Sequence, residues 1–291
     1  MQTRQGLIYG ILAYGCWGLV PIYFRSIRAL PSDEILAHRI VWSAMLLGII
    51  VTVARRWRDV ARCLADWRLL LPLLLSAMLI AINWLAYIKS VADERIVEAS
   101  LGYFITPLFQ VMLGVAIGER MRPLQIVALL LATAGVLAQV VALGEIPWFA
   151  LTLATSFSLY ALVRKKTPVD GLLGLTVETF LLAPVAAYFL IARHTAGTLT
   201  WGSQSFGLDL LVAASGIVTT IPLLCFGQAA RRLPLSTLGF LQFLAPTIQF
   251  LIAVFAFGEP FSDEKAVSFA IVWCGVGVFL YDSIHRATRR S

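Results

Sequence analysis

Charge is something this chain of 291 residues has little of: 13% of its residues are charged against 59% hydrophobic, outside the composition of soluble globular domains. Histidine is scarcer still, with three in the whole chain. No G-x-x-x-x-G-K-[ST] run is present to cradle ATP, no H-E-x-x-H pair to hold zinc, and no paired acidic cluster of the kind that binds metal-bound phosphates. ATP-driven transport within the chain is thereby excluded, and the expectation is a non-enzyme with no catalytic residues, metal or cofactor. The four cysteines (Cys16, Cys63, Cys225, Cys274) lack C-x-x-C spacing, and they read as small apolar filler, not as disulfides or metal ligands. Sustained strict alternation, the mark of a membrane β-barrel, is also missing.

What the chain does have is apolar runs of about 18 to 25 residues separated by short polar punctuation, long enough at 1.5 Å per residue to cross a hydrocarbon core. They predict transmembrane helices over 7–25, 33–54, 69–91, 96–117, 122–143, 146–163, 172–192, 208–230, 234–257 and 264–284. The expected fold is therefore an all-α integral membrane protein of ten transmembrane helices. The first run follows Arg4 and reaches Arg25 without a small-residue cleavage site, so it reads as a retained helix, not a removed signal peptide.

The formal charge of +7 invites a nucleic-acid reading, but the placement of the charges argues against it. With a cytoplasmic N-terminus, sixteen basic residues fall on the cytoplasmic side: Arg4; Arg55, Arg56, Arg58, Arg62 and Arg68; Arg120 and Arg122; Arg164, Lys165 and Lys166; Arg231 and Arg232; Arg286, Arg289 and Arg290. The other side holds only Arg25, Arg28, Arg95, Arg193 and Lys265. This asymmetry predicts a multi-pass protein of the bacterial inner membrane with both termini cytoplasmic, its basic residues facing lipid headgroups with no nucleic-acid partner.

Two stretches resemble each other across the midpoint. Leu101 to Glu119 and Leu238 to Glu259 both begin Leu-Gly-aromatic, carry a proline followed three residues later by glutamine (Pro107 and Gln110; Pro246 and Gln249), and end in Gly-Glu. They occupy the fourth and ninth spans, so the repeat unit is five helices, and an odd unit inverts its second copy. The expected domains are a first five-helix repeat, 1–143, and a second, inverted repeat, 146–291, with a basic tail. Inverted repeats build many secondary transporters, with the site near the midplane between the halves. Pro107 and Pro246 free the carbonyls of Tyr103 and Gln242, so they are candidate hinges beside exposed backbone polarity.

Ionisable groups inside spans are expensive and mark functional candidates. His38 and Arg39 lie in the second span below Asp33 and Glu34, with Glu34 and His38 four apart on a face that also carries Trp42. Lys89 and Glu98 sit near the outer ends of the third and fourth spans, where a site role and snorkelling to the interface are both open. Glu98 is the expected partner of Lys89. Glu178, in the seventh span, either titrates during transport or caps a neighbour. Asn83 and Tyr87, four apart, and Trp17 and Tyr14 around Gly15 suit either a cavity for an organic molecule or close helix packing.

The segments DEILAHR (33–39), NWLAYI (83–88), EASLGYF (98–104), VRKK (163–166), GIVTTIPLLCF (216–226) and LSTLGF (235–240) resemble the RarD group of the EamA family, in the drug/metabolite transporter superfamily. The resemblance covers nearly the whole chain. It implies ten helices in two inverted repeats and export or exchange of small organic solutes. The chain departs from the group's usual residues at Lys89 (tryptophan), Ala92 (asparagine) and Thr106 (asparagine).

The function expected is thus secondary transport, by alternating access, of a small amphipathic or zwitterionic metabolite or drug. The substrate-binding candidates are Trp17, His38, Arg39, Trp42, Asn83, Tyr87, Lys89, Glu98, Tyr103, Gln110, Gln242 and Gln249. Besides the substrate, the expected partner is membrane lipid. Proton coupling through His38, Glu98 or Glu178 and substrate exchange are equally open, and the rival reading is a channel or scaffold without a transport cycle.

Overall fold

The computed structural model describes residues 2–93, 95–256, 270–279, 281 and 282. Among these the secondary structure is helical throughout, as the expense of unpaired backbone in hydrocarbon requires. The helices are α1 (Gln2–Ser26), α2 (Ser32–Val53), α3 (Trp57–Ala65), α4 (Trp67–Ala92), α5 (Ile96–Ala116), α6 (Pro123–Leu143), α7 (Trp148–Lys166), α8 (Gly171–Thr195), α9 (Phe206–Arg232), α10 (Leu235–Gln242), α11 (Leu244–Leu251) and α12 (Ala270–Phe279). A π-helical turn, Ile252–Ala256, continues α11. Seven of the apolar helices among the described residues are long enough to cross a membrane, with α10, α11 and the π turn counted as one path. The chain is a multi-span membrane protein. Glu259, Lys265 and the basic tail of Arg286, Arg289 and Arg290 lie outside the described residues.

One expected loop is a helix. The basic segment after α2 forms α3, whose Val60 and Cys63 are buried against Leu73 of α4 and against Val169, Leu173 and Val177. Arg58 and Arg62 stay exposed, the layout of a short interfacial helix. Arg56 ties this corner to the start of α8 through Asp59 and Asp170, at 2.8 Å each. Asp170 also caps α8, accepting from the N–H groups of Leu172 and Leu173 at 3.0 and 3.1 Å. Burial pushes its carboxyl up, but the Leu173 N–H and the Arg56 guanidinium outweigh that and hold it below its usual value.

Packing is dominated by pairs that join the two halves of the chain: α1 with α9, α2 with α8 and α9, α4 with α7 and α8, α5 with α7 and α10, and α1 with α11. At the centre, α5 meets α10 so closely that a Cβ on Gly239 would lie 2.7 Å from the Pro107 carbonyl oxygen. The two proline helices behave differently. α5 runs unbroken through Pro107, whereas the chain at Pro246 divides into α10 and α11 at Phe243, one residue past the Gln242 carbonyl that the proline deprives of its donor.

Candidate functional site

Arg39 is the one candidate whose charge faces an aromatic enclosure. Its guanidinium carbon lies 5.3 Å from the ring centroids of both Phe24 and Trp84, and its Nε donates to the Thr219 hydroxyl at 2.9 Å. Tyr23, Tyr87 and Tyr103 lie within electrostatic range. Among the described residues no carboxylate pairs with it. Tyr103 is 38% exposed although every other residue of α5 from Leu101 to Leu108 is buried, so its ring is not packed against a neighbouring helix as theirs are. Five segments of the fold converge here: the end of α1, the first half of α2, the last part of α4, the start of α5 and the middle of α9.

Deeper in the bundle the glutamines link helices. Gln110 Nε2 donates to Gln242 Oε1 at 2.9 Å, joining α5 to α10 beside the Pro107–Gly239 crossing. Gln249 donates to the Trp17 carbonyl at 3.1 Å, and the Trp17 ring packs among Tyr14, Phe157 and Phe226.

Other candidates lie elsewhere. Lys89 belongs to the stripe Leu71, Leu75, Met78, Ile82 and Leu85, all exposed and spaced at three or four residues along one face of α4. That face looks outward, and Lys89, with its side chain 66% exposed, lies on it and not among the rings around Arg39. Its partner is Asp93, at 2.5 Å across one helical turn, and not Glu98. Glu98 is buried and already engaged: Arg95 Nε lies 2.8 Å from it, and it accepts from the Phe149 N–H at 2.6 Å, capping α7 from a neighbouring helix. Asn83 spends both amide protons on α7, at the Leu153 carbonyl and the Ser156 hydroxyl. His38 and Trp42 pack on Trp201 in the 196–205 connection, which Glu34 pins by accepting from the Thr200 and Trp201 N–H groups. Among the described residues no three His, Cys, Asp or Glu side chains converge as a metal-binding set.

The comparisons with known proteins agree with one another. Residues 4–140 match the EamA-like transporter family. Over 290 residues the chain is 45% identical to the protein RarD of Salmonella typhi, covering 99% of each chain. The chain belongs to the EamA family. Within it the chain is RarD-like, being also 44% identical over 291 residues to the protein RarD of Escherichia coli strain K12, covering all of this chain and 98% of that one. A crystal structure of a protein 20% identical superposes with a TM-score of 0.73, covering 96% of this chain and 98% of the other, which shows that the fold is shared. As an EamA protein of this group, the chain is a secondary transporter of small metabolites.

In this RarD-like member a second charged centre escaped the sequence reading. Arg164, expected at the cytoplasmic surface, is 1% exposed, with its Nε 3.4 Å from Glu178 Oε1. Glu178 also accepts from the Ser76 hydroxyl at 2.6 Å and from the Tyr160 hydroxyl at 3.2 Å. The guanidinium fits because α8 has a glycine beside it: a Cβ on Gly174 would stand 1.8 Å from Arg164 Nη1. An internal crevice lined by Trp84, Thr219, Tyr160 and Glu178 runs between this centre and the neighbours of Arg39. The signals for Trp84 and Thr219 were present, since Trp84 shares a helix face with Tyr87 at i, i+3, but Arg164 stood in a basic run that hydropathy assigns to the surface.

Proposed function

We propose that the chain works by alternating access, with ten spans arranged as two inverted five-helix repeats, 1–143 and 146–291, that rock around a chamber at Arg39. The pairing of helices supports the duplication. Exchanging each helix for its counterpart five spans away turns the α1–α9 contact into α7–α4, α5–α7 into α11–α1 and α2–α9 into α8–α4, while α2–α8 and α5–α10 map onto themselves, and every one of these contacts is present. Within this arrangement the break at Phe243 and the Pro107–Gly239 crossing supply a hinge at the interface of the halves.

The observation that carries the site is Arg39 among aromatic rings with no acid beside it among the described residues. A substrate with an acidic group and an apolar body would complete its charge there and stack on Trp84, Tyr87 or Tyr103. Substrate exchange is the mode the geometry favours over proton coupling, because Glu98 and Glu178 are held by Arg95 and Arg164 and His38 lies beneath Trp201. Both termini and the loops at Arg56 and Lys165 are cytoplasmic in this reading, and the 193–207 loop is periplasmic.

Two experiments test the reading. Counterflow of a labelled solute in proteoliposomes should show trans-stimulated exchange; uptake without trans-stimulation would establish a channel instead. Single introduced cysteines should label from outside intact cells at 193–207 but not beside Lys165, and strong labelling at Lys165 would overturn the ten-span arrangement.

A further inference from the structure

Away from Arg39, a cleft of about 440 Å³ has walls that carry Arg120, Arg122, Lys165, Arg231 and Arg232 around a single carboxylate, Glu119. Surface lysines and arginines that serve only to orient a membrane protein spread toward headgroups. Here five converge on one concavity, and the fold enforces the convergence. Gly118, at φ +92, lets the chain turn sharply after α5 and aims Glu119 back at the start of α10. There its carboxylate accepts from the Leu235 N–H at 2.7 Å and from the Ser236 N–H and hydroxyl at 3.0 Å.

The lone carboxylate is thereby occupied, with Lys165 3.6 Å away and turned onto the Leu233 carbonyl. Arg122 is held by Asp282 at 2.7 Å, and Arg232 folds onto Gln228 and the Tyr9 ring. Arg120 and Arg231 are exposed and make no hydrogen bond or ion pair among the described residues. The cleft thus has a fixed wall of anchored cations and two guanidiniums left over, with Thr237 of α10 also lining it. Cations crowded this closely repel one another until an anion joins them, and planar guanidiniums match phosphate oxygens in pairs.

We propose that this cleft binds a phosphate group, borne either by an anionic phospholipid headgroup or by a soluble phosphate, with Arg120 and Arg231 as its direct ligands. Its walls come mainly from around the α5–α6 turn and the α9–α10 turn, so the bound group pins together segments from the two halves of the chain. The site is separate from the chamber at Arg39 and is read without measuring transport.

The test is thermal unfolding of the purified full chain in a neutral detergent. One arm compares inorganic phosphate with chloride at equal ionic strength; the other compares mixed micelles containing phosphatidylglycerol with those containing phosphatidylcholine. Each arm is repeated with R120Q/R231Q, which removes two exposed side chains and leaves the anchored wall intact. In at least one arm the anionic phosphate probe, inorganic phosphate or phosphatidylglycerol, should raise the unfolding temperature saturably over its control, by about 3 °C or more, and the double variant should lose that rise. A rise with inorganic phosphate identifies a soluble ligand, and a rise with phosphatidylglycerol alone identifies a headgroup. No rise in either arm, or the same rise in the double variant, overturns the proposal.

Discussion

Arg39 on α2 and Glu178 on α8 are each the eighth residue of their helix, and each meets a hydroxyl from a helix of the other half: Thr219 on α9 for Arg39, Ser76 on α4 for Glu178. Each also has a tyrosine nearby from the preceding span, Tyr23 and Tyr160. They differ in one respect. Glu178 is matched by Arg164 and sealed, whereas Arg39 lies among aromatic rings with no acid beside it among the described residues. A buried charge without a partner costs several kcal/mol, so the second centre serves to hold helices together, and under the proposed function the first keeps its charge for the substrate.

The largest expected effect breaks the sealed centre. Arg164→Met strands the Glu178 carboxylate and should cost about 3–5 kcal/mol of stability, while Arg164→Met with Glu178→Met should recover most of it. Unfolding of the purified variants measures both, and a double variant as weak as the single one would remove the ion-pair account.

Next comes the open centre. Arg39→Gln should reduce kcat/KM for an acidic substrate by about 10- to 100-fold, the loss expected for a charge-assisted hydrogen bond of roughly 1.5–3 kcal/mol. Its unfolding temperature should barely move, since no ion pair is broken. Equal losses for a neutral and an acidic substrate in proteoliposomes would deny Arg39 its charge-reading role.

The contrast between the proline helices gives a smaller effect. Pro246→Ala allows α10 and α11 to join and should slow exchange about fivefold, roughly 1 kcal/mol in barrier. Pro107→Ala, in a helix that is already continuous, should slow it less; the reverse order in measured exchange rates would move the hinge to α5.

Least affected should be Lys89→Trp, within about 0.5 kcal/mol in stability and unchanged in uptake, because the residue extends an outward stripe and only its pair with Asp93 is lost. Weakened uptake of an acidic substrate would return Lys89 to the pathway.

The spans were legible in the sequence because hydropathy is a local sum, and among the described residues it placed the long apolar helices to within about five residues. The depth of Arg39 within its span was legible too. Lys89 and Arg164 were not. Depth along a helix follows from residue number, but the face a side chain takes depends on which neighbours pack where. Lys89 faces outward because α4 turns Asn83 toward α7, and Arg164 is swallowed because α8 offers Gly174 at the point of contact. The helix α3 was hidden for a related reason, since nine residues with two inward positions carry too weak a period to stand out from a basic loop.

By itself, the sequence determined that the chain lives in a membrane, how many apolar runs it has, where proline interrupts them and which family its motifs resemble, all properties carried by short windows of residues. Only the tertiary structure decided which charges are paired. That Arg164 is sealed by Glu178, that Glu98 and Glu119 are spent as caps, and that Arg39 lies among Phe24 and Trp84 with no acid among the described residues all depend on contacts between residues far apart in the chain. The energy of a charge in a low-dielectric interior is set by the partner within a few ångströms, and distance along the sequence does not measure it.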